Sequence, residues 1–258
     1  MSDTANAARD DLATIAAIAV VASCIVAVDH EAIGHGSACL ALGGHVTRLT
    51  SVYFHCSAAS AWIDPAGPAG NLTGAVLAWL AGRWLPARMV RLRLMLLLIT
   101  AFALFWEGGY LFKSMLTLDG DSANAARAAF GEPAWPWRIG GVLLGIVLYA
   151  AGIAATISSM RALAADRART RHILRVSWLA ATAAACGAAL AYAPDRLEAM
   201  HQAALEIGAA SWPLLFLAAW APPAMHGGEH TIGKSFCWIA FAAIVFAVFA
   251  LTLGQGLY

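Results

Sequence analysis

Seven stretches of this chain are long and apolar enough to act as membrane spans, and that repetition constrains the fold more than any other feature. They run about 12–41, 69–87, 90–112, 138–160, 173–193, 205–222 and 235–256. A helix rising about 1.5 Å per residue needs about 20 apolar residues to cross about 30 Å of hydrocarbon. Asn71 and Arg83 interrupt the second stretch and Pro213 the sixth, so the pattern predicts six to seven crossings. Composition closes off the alternatives. Of 258 residues, 61% are apolar and only 12% charged, against roughly 45–50% and about 25% in a soluble domain. The expected fold class is therefore an all-α polytopic membrane protein, one transmembrane domain over 1–258 with the lipid bilayer as its first partner.

Charge excludes some functions and orients the bundle. Sixteen basic and fifteen acidic residues give a net charge of +1, so no nucleic-acid partner is expected. The connection 83–93 carries Arg83, Arg88, Arg91 and Arg93, and 161–175 carries Arg161, Arg167, Arg169, Arg171 and Arg175. Loops rich in arginine stay on the cytoplasmic side. With seven spans the N-terminus is then inside, and 43–68, 113–137, 194–204 and the C-terminus are outside, as in a bacterial-type inner (plasma) membrane. Arg9, Asp10 and Asp11 precede the first run, which is expected to remain as a helix rather than be cleaved. Of five cysteines, Cys24, Cys186 and Cys237 lie in apolar runs and read as small buried hydrophobes rather than a disulfide framework. Gly70/Gly74 and Gly141/Gly145 have the spacing that lets helices approach closely.

The chemistry is concentrated in Asp29-His30-Glu31-Ala32-Ile33-Gly34-His35-Gly36. A charged group at mid-bilayer costs roughly 2.5–3.5 kcal/mol, so such residues are functional candidates. His-Glu-x-x-His on a helix binds zinc because its histidines, four apart, share a face. Here the histidines are five apart. On a regular α-helix that is a rotation of about 500°, which leaves the rings some 140° apart. Joint ligation requires a π-bulge or kink, and Gly34 stands where one would form. Asn71, in Ala66-Gly67-Pro68-Ala69-Gly70-Asn71, adds a polar group near the start of the second span. Leu118-Asp119-Gly120-Asp121 follows the third span at the same outer depth. Either Asp119 or Asp121 can supply the oxygen ligand that completes a three-ligand site with an open fourth position.

The order His-Glu…His, Ala-Gly-Pro-x-x-Asn, Leu-Asp-Gly resembles the site-2 protease family of intramembrane zinc metalloproteases, over about residues 25–125. The chain differs in its histidine spacing and in lacking an Asn-Pro before Asp-Gly. The resemblance implies a protease-like core over about 12–125, with additional helices over 138–256. Gly43-Gly44-His45-Val46-Thr47-Arg48 is similar to the family's membrane-associated β-hairpin, so a short hairpin-like connection is expected after the first helix. It further implies Zn2+ held by His30, His35 and Asp119 or Asp121, Glu31 as the general base, and Asn71 steadying the oxyanion or the unwound substrate. The activity implied is hydrolysis of a peptide bond in a membrane-embedded protein or peptide.

Rival groups occur elsewhere. Glu107, in Trp106-Glu107-Gly108-Gly109, is a second possible ligand or proton carrier. His226-Gly227-Gly228-Glu229-His230 matches the inverted His-x-x-Glu-His motif, although its glycines and Pro222-Pro223 oppose the helix that motif needs. His45, His55 and Cys56 read as solvated or hairpin residues. The alternative function is non-enzymatic: an ion or proton transporter, a sensor, or an inactive protease-like assembly partner.

Overall fold

The computed structural model describes residues 10–132, 134–164, 166–219 and 230–258. Asp11 caps α1 (Leu12–Val28), its carboxylate accepting from the Thr14 amide at 2.8 Å. The helix continues through a π-helical segment, Asp29–Gly36, into α2 (Ser37–Ala41). Strands β1 (Val46–Leu49) and β2 (Phe54–Cys56) form an antiparallel hairpin, the expected connection. Then come α3 (Ala66–Trp84), α4 (Val90–Thr117), α5 (Asp121–Phe130), α6 (Trp135–Leu163), α7 (Arg167–Ala189), α8 (Arg196–Ala203) and α9 (Phe236–Phe249).

Being apolar all round, α1 suits a core or lipid setting, and most of it lies inside the bundle. It packs against α4, α7 and α9, with Ile15 and Ile18 fully buried. Leu94, Leu98, Phe102, Phe105 and Trp106 of α4 and Ile173 and Leu174 of α7 complete the core. Both glycine pairs lie at or beside helix contacts. A Cβ on Gly145 would sit 2.9 Å from the Gly108 carbonyl, and one on Gly70 would sit 2.9 Å from the Asp29 carbonyl. Backbone therefore meets backbone where α6 crosses α4 and where α3 crosses the π segment.

Among the described residues, four helices are long and apolar enough to cross a membrane: Leu12–Ala41, Val90–Thr117, Trp135–Leu163 and Phe236–Gly254. The expected span at 205–222 is not a continuous helix. As far as residue 219 it is a π turn, Ala204–Ala209, followed by 3-10 turns at Trp212–Leu215 and Leu217–Ala219. Pro213, lacking an amide hydrogen, is placed in the first 3-10 turn, where no α-helical bond is lost.

The bundle has two distinct ends. At one, Arg169 binds both Asp10 carboxylate oxygens (2.6 and 2.9 Å), Asp10 accepts from the Ile232 amide, and Arg91 donates to the Gly233 carbonyl. At the other, β1 pairs through Leu49 with Leu257, so the end of α9 returns to the hairpin.

The cysteine reading needs two corrections. Cys39 and Cys56 form a disulfide that ties α2 to β2; Cys237 is exposed rather than buried, and Cys186 half-buried. Their partnership was hidden because it depends on the hairpin folding back over the end of α2. Closing a loop with a sequence separation of 17 stabilises by about 3 kcal/mol on a chain-entropy account. Cys56→Ser should lower unfolding free energy by about that much. Denatured, unreduced protein should show three reactive thiols, Cys24, Cys186 and Cys237; five without reductant would refute the bond.

Candidate metal centre

Five-residue spacing is what a π turn accommodates, since its i→i+5 bonds place residue i+5 over residue i. The chain adopts that turn over Asp29–Gly36, and His35 lies above His30 on one face. The two Nε2 atoms are 3.2 Å apart. Asp121 Oδ2 is 3.4 Å from His35 Nε2 and 3.8 Å from His30 Nε2. Donors about 2.0–2.1 Å from one tetrahedral ion are about 3.3–3.4 Å from each other, so this triangle has the size of a metal's ligand face. His30, His35 and Asp121 can hold a metal ion.

The hydrogen bonds behind the imidazoles select the ligating tautomer. His35 Nδ1 donates to the Ile63 carbonyl at 2.8 Å, which can only accept. His30 Nδ1 donates to Glu107 Oε1 at 2.9 Å. With both Nδ1 atoms acting as donors, neutral rings direct two Nε2 lone pairs at each other across 3.2 Å. A metal ion between them would satisfy both. Trp106 stacks on His30 (4.7 Å, 8°) and Phe54 of β2 on His35 (5.3 Å, 19°), so neither ring can rotate away.

Glu107 therefore stands behind His30 on the Nδ1 side, an acceptor for the ring rather than one of the three converging donors. Asn71 Nδ2 donates to the same Glu107 oxygen at 2.7 Å and lies 3.3 Å from His30 Nδ1. Fully buried, Asn71 thus belongs to this orienting group. Glu31, 4% exposed, has Oε2 without a hydrogen-bond partner among the described residues.

The choice between the two aspartates is made by backbone geometry. Leu118 and Gly120 both have positive φ (59° and 88°), which turns the chain sharply out of α4 and into α5. That turn points the first residue of α5, Asp121, at the histidines, while the Asp119 side chain is exposed and outside the ligand group. Ser114 Oγ donates to the Asp119 carbonyl (2.6 Å), and the Asp121 amide donates to Tyr110 Oη (3.2 Å), which holds the turn. Where the imidazoles are protonated rather than metal-bound, burial pushes the Asp121 carboxyl upward, but hydrogen bonds and charge from His30 and His35 outweigh it and hold the group well below the usual carboxylate range.

Glycines bring the elements this close. A Cβ on Gly34 would lie 2.6 Å from the Ala66 carbonyl oxygen and from Gly67 Cα. Gly67, on α3, faces the Nε2 atoms of both histidines. Of the rival groups, His226 and Glu229 lie outside the described residues. His230 is at the arginine-rich end, its carbonyl accepting from Arg169, at the far end of the bundle from His30. His45 and His55 are exposed on the hairpin, as expected. Sequence reasoning missed the Ile63 carbonyl, the Trp106 and Phe54 stacks, and Glu206, a carboxylate in the π turn after α8. Only Glu206 carried a signal, as a lone acid inside an apolar stretch.

No protein-family model matches this chain, and no curated protein or solved structure is similar to it. What the site can do follows from its own residues.

Proposed function

We propose that the protein is an intramembrane zinc metallopeptidase-like hydrolase that cleaves a peptide bond in a membrane-embedded protein or peptide. One observation carries this reading: two Nδ1-anchored imidazoles and a carboxylate converge beside a buried carboxylate, Glu31, that has no hydrogen-bond partner at Oε2. Two nitrogens and one oxygen suit zinc rather than calcium or magnesium, which prefer all-oxygen sets. Bound zinc would supply Lewis acidity toward a substrate carbonyl and a water. Glu31 accepts a proton from the water whose oxygen adds to the carbonyl carbon, and passes that proton to the amine nitrogen as the C–N bond breaks. Glu107 holds His30 in its ligating tautomer, and Asn71 in turn fixes Glu107, a positioning role rather than contact with the oxyanion. An extended peptide suits the surroundings. β2 has β1 on one side and no partner strand on the other among the described residues, and its Phe54 lies against His35. An edge strand of this kind offers backbone bonds to an incoming strand.

The setting is a multi-pass protein of a bacterial-type plasma membrane, with six to seven crossings when α3, α7 and the broken stretch from 205 join the four long helices. The arginine-rich end lies inside and the disulfide-bearing hairpin faces the oxidising outside. A non-enzymatic ion path is the second reading, favoured by the further carboxylates Asp29 and Glu206 along the apolar elements. Metal analysis tests the first. Purified protein should carry about one zinc per chain, and the His30→Ala/His35→Ala double variant should carry essentially none. Full zinc content in that variant would place the metal elsewhere.

A further inference from the structure

Beside the metal centre, α4, α6 and the π turn 204–209 enclose a groove of about 610 Å³, within the range of roughly 300–1,000 Å³ that ligand sites occupy. Its walls are mostly apolar, including Trp106, Phe112, Ile146 and Tyr149. Tyr149 Oη donates to the Ala210 carbonyl at 2.7 Å and holds α6 to the turn. Trp106 joins the groove to the site, since it lines the one and stacks on His30 in the other.

One acid interrupts this wall. Glu206 lines the groove, and no described residue hydrogen-bonds or ion-pairs with its carboxylate. Lys113, the basic residue of the lining, is directed instead toward the Tyr110 ring, 5.9 Å from its centroid. A carboxylate kept without a partner in an apolar setting marks a place where a ligand group binds. A basic group is the chemical complement of an unpartnered carboxylate in an apolar wall.

We propose that this groove seats an apolar, membrane-embedded peptide segment bearing a basic side chain, with Glu206 as the residue that selects it. The proposal rests on the peptidase reading above, because the groove leads to that site. A lipid tail alone fills apolar space but gives Glu206 no partner.

Binding in nanodiscs of phosphatidylcholine separates the possibilities. The probe is a dansyl-labelled Leu/Ala transmembrane peptide with one central lysine, compared with the same peptide carrying norleucine, and energy transfer from protein tryptophans is the readout. The lysine peptide should bind about tenfold tighter. Glu206→Gln should erase that preference while leaving norleucine-peptide affinity and zinc content unchanged. Ala209→Trp, which fills the groove, should weaken both peptides. Equal affinities in the native protein, or a lysine preference that survives Glu206→Gln, would overturn the proposal. Loss of lysine-peptide binding when phosphatidylethanolamine is added would overturn it in favour of an amine headgroup. A lysine preference in a protein that neither holds zinc nor cleaves would leave the groove assignment standing and remove the peptidase reading.

Discussion

Glu31→Gln should retain the fold and about one zinc per chain yet lose cleavage of a membrane-embedded substrate by at least ~10²-fold. Glutamine keeps the size and polarity of the side chain, but an amide cannot accept a proton from water at neutral pH. The buried Glu31 Oε2 has no hydrogen-bond partner among the described residues, so the substitution breaks no such bond. Nor is Glu31 among the three converging donors, His30, His35 and Asp121. The two readouts, metal content and turnover, should therefore separate. Undiminished cleavage with zinc in place would remove Glu31 from proton transfer. Simultaneous loss of zinc would instead make it a structural part of the metal site.

How far the sequence discloses this site depends on what each residue's placement requires. The first helix and its π turn are legible because the two constraints conflict in only one way. An apolar run of spanning length demands a helix, and histidines five apart cannot share an α-helical face, so the helix must be locally π if they are to meet. The observed turn over Asp29–Gly36 is that outcome. Asp119 and Asp121 are not separable from sequence, because the decision lies in two positive-φ residues, Leu118 and Gly120. Leu118 carries no local signal for that conformation. The role of Glu107 depends on how α4 is rotated against α1, a tertiary quantity that spacing within one helix does not encode. The Cys39–Cys56 bond depends in the same way on the path of the hairpin. Where Pro213 interrupts an apolar stretch, hydropathy alone reads a span and the backbone instead takes π and 3-10 turns.

Gly67→Ala should abolish metal binding while leaving the helices intact. A Cβ at this position would overlap His35 Nε2 and stand 2.7 Å from His30 Nε2, in the space where both ligand atoms point. The backbone cannot retreat toward α1, because Gly34 already lies against Ala66 and Gly67 with no room for a side chain of its own. The imidazoles cannot swing aside either, since Ile63 and Glu107 hold their Nδ1 atoms and Phe54 and Trp106 cover their faces. Elsewhere on a helix the same change is favourable by roughly 0.5–1 kcal/mol, because alanine loses less backbone entropy than glycine. Gly82→Ala on the same helix is the matched control: its Cβ would meet nothing nearer than Leu96 Cβ at 3.7 Å. Zinc titration of the two variants should therefore diverge. Gly82→Ala should bind like the native protein, and Gly67→Ala should lose more than the ~10–100-fold that changes behind a ligand cost. Native zinc affinity in Gly67→Ala would show that the metal is not held at the meeting point of His30, His35 and Asp121, whatever the helices around it do.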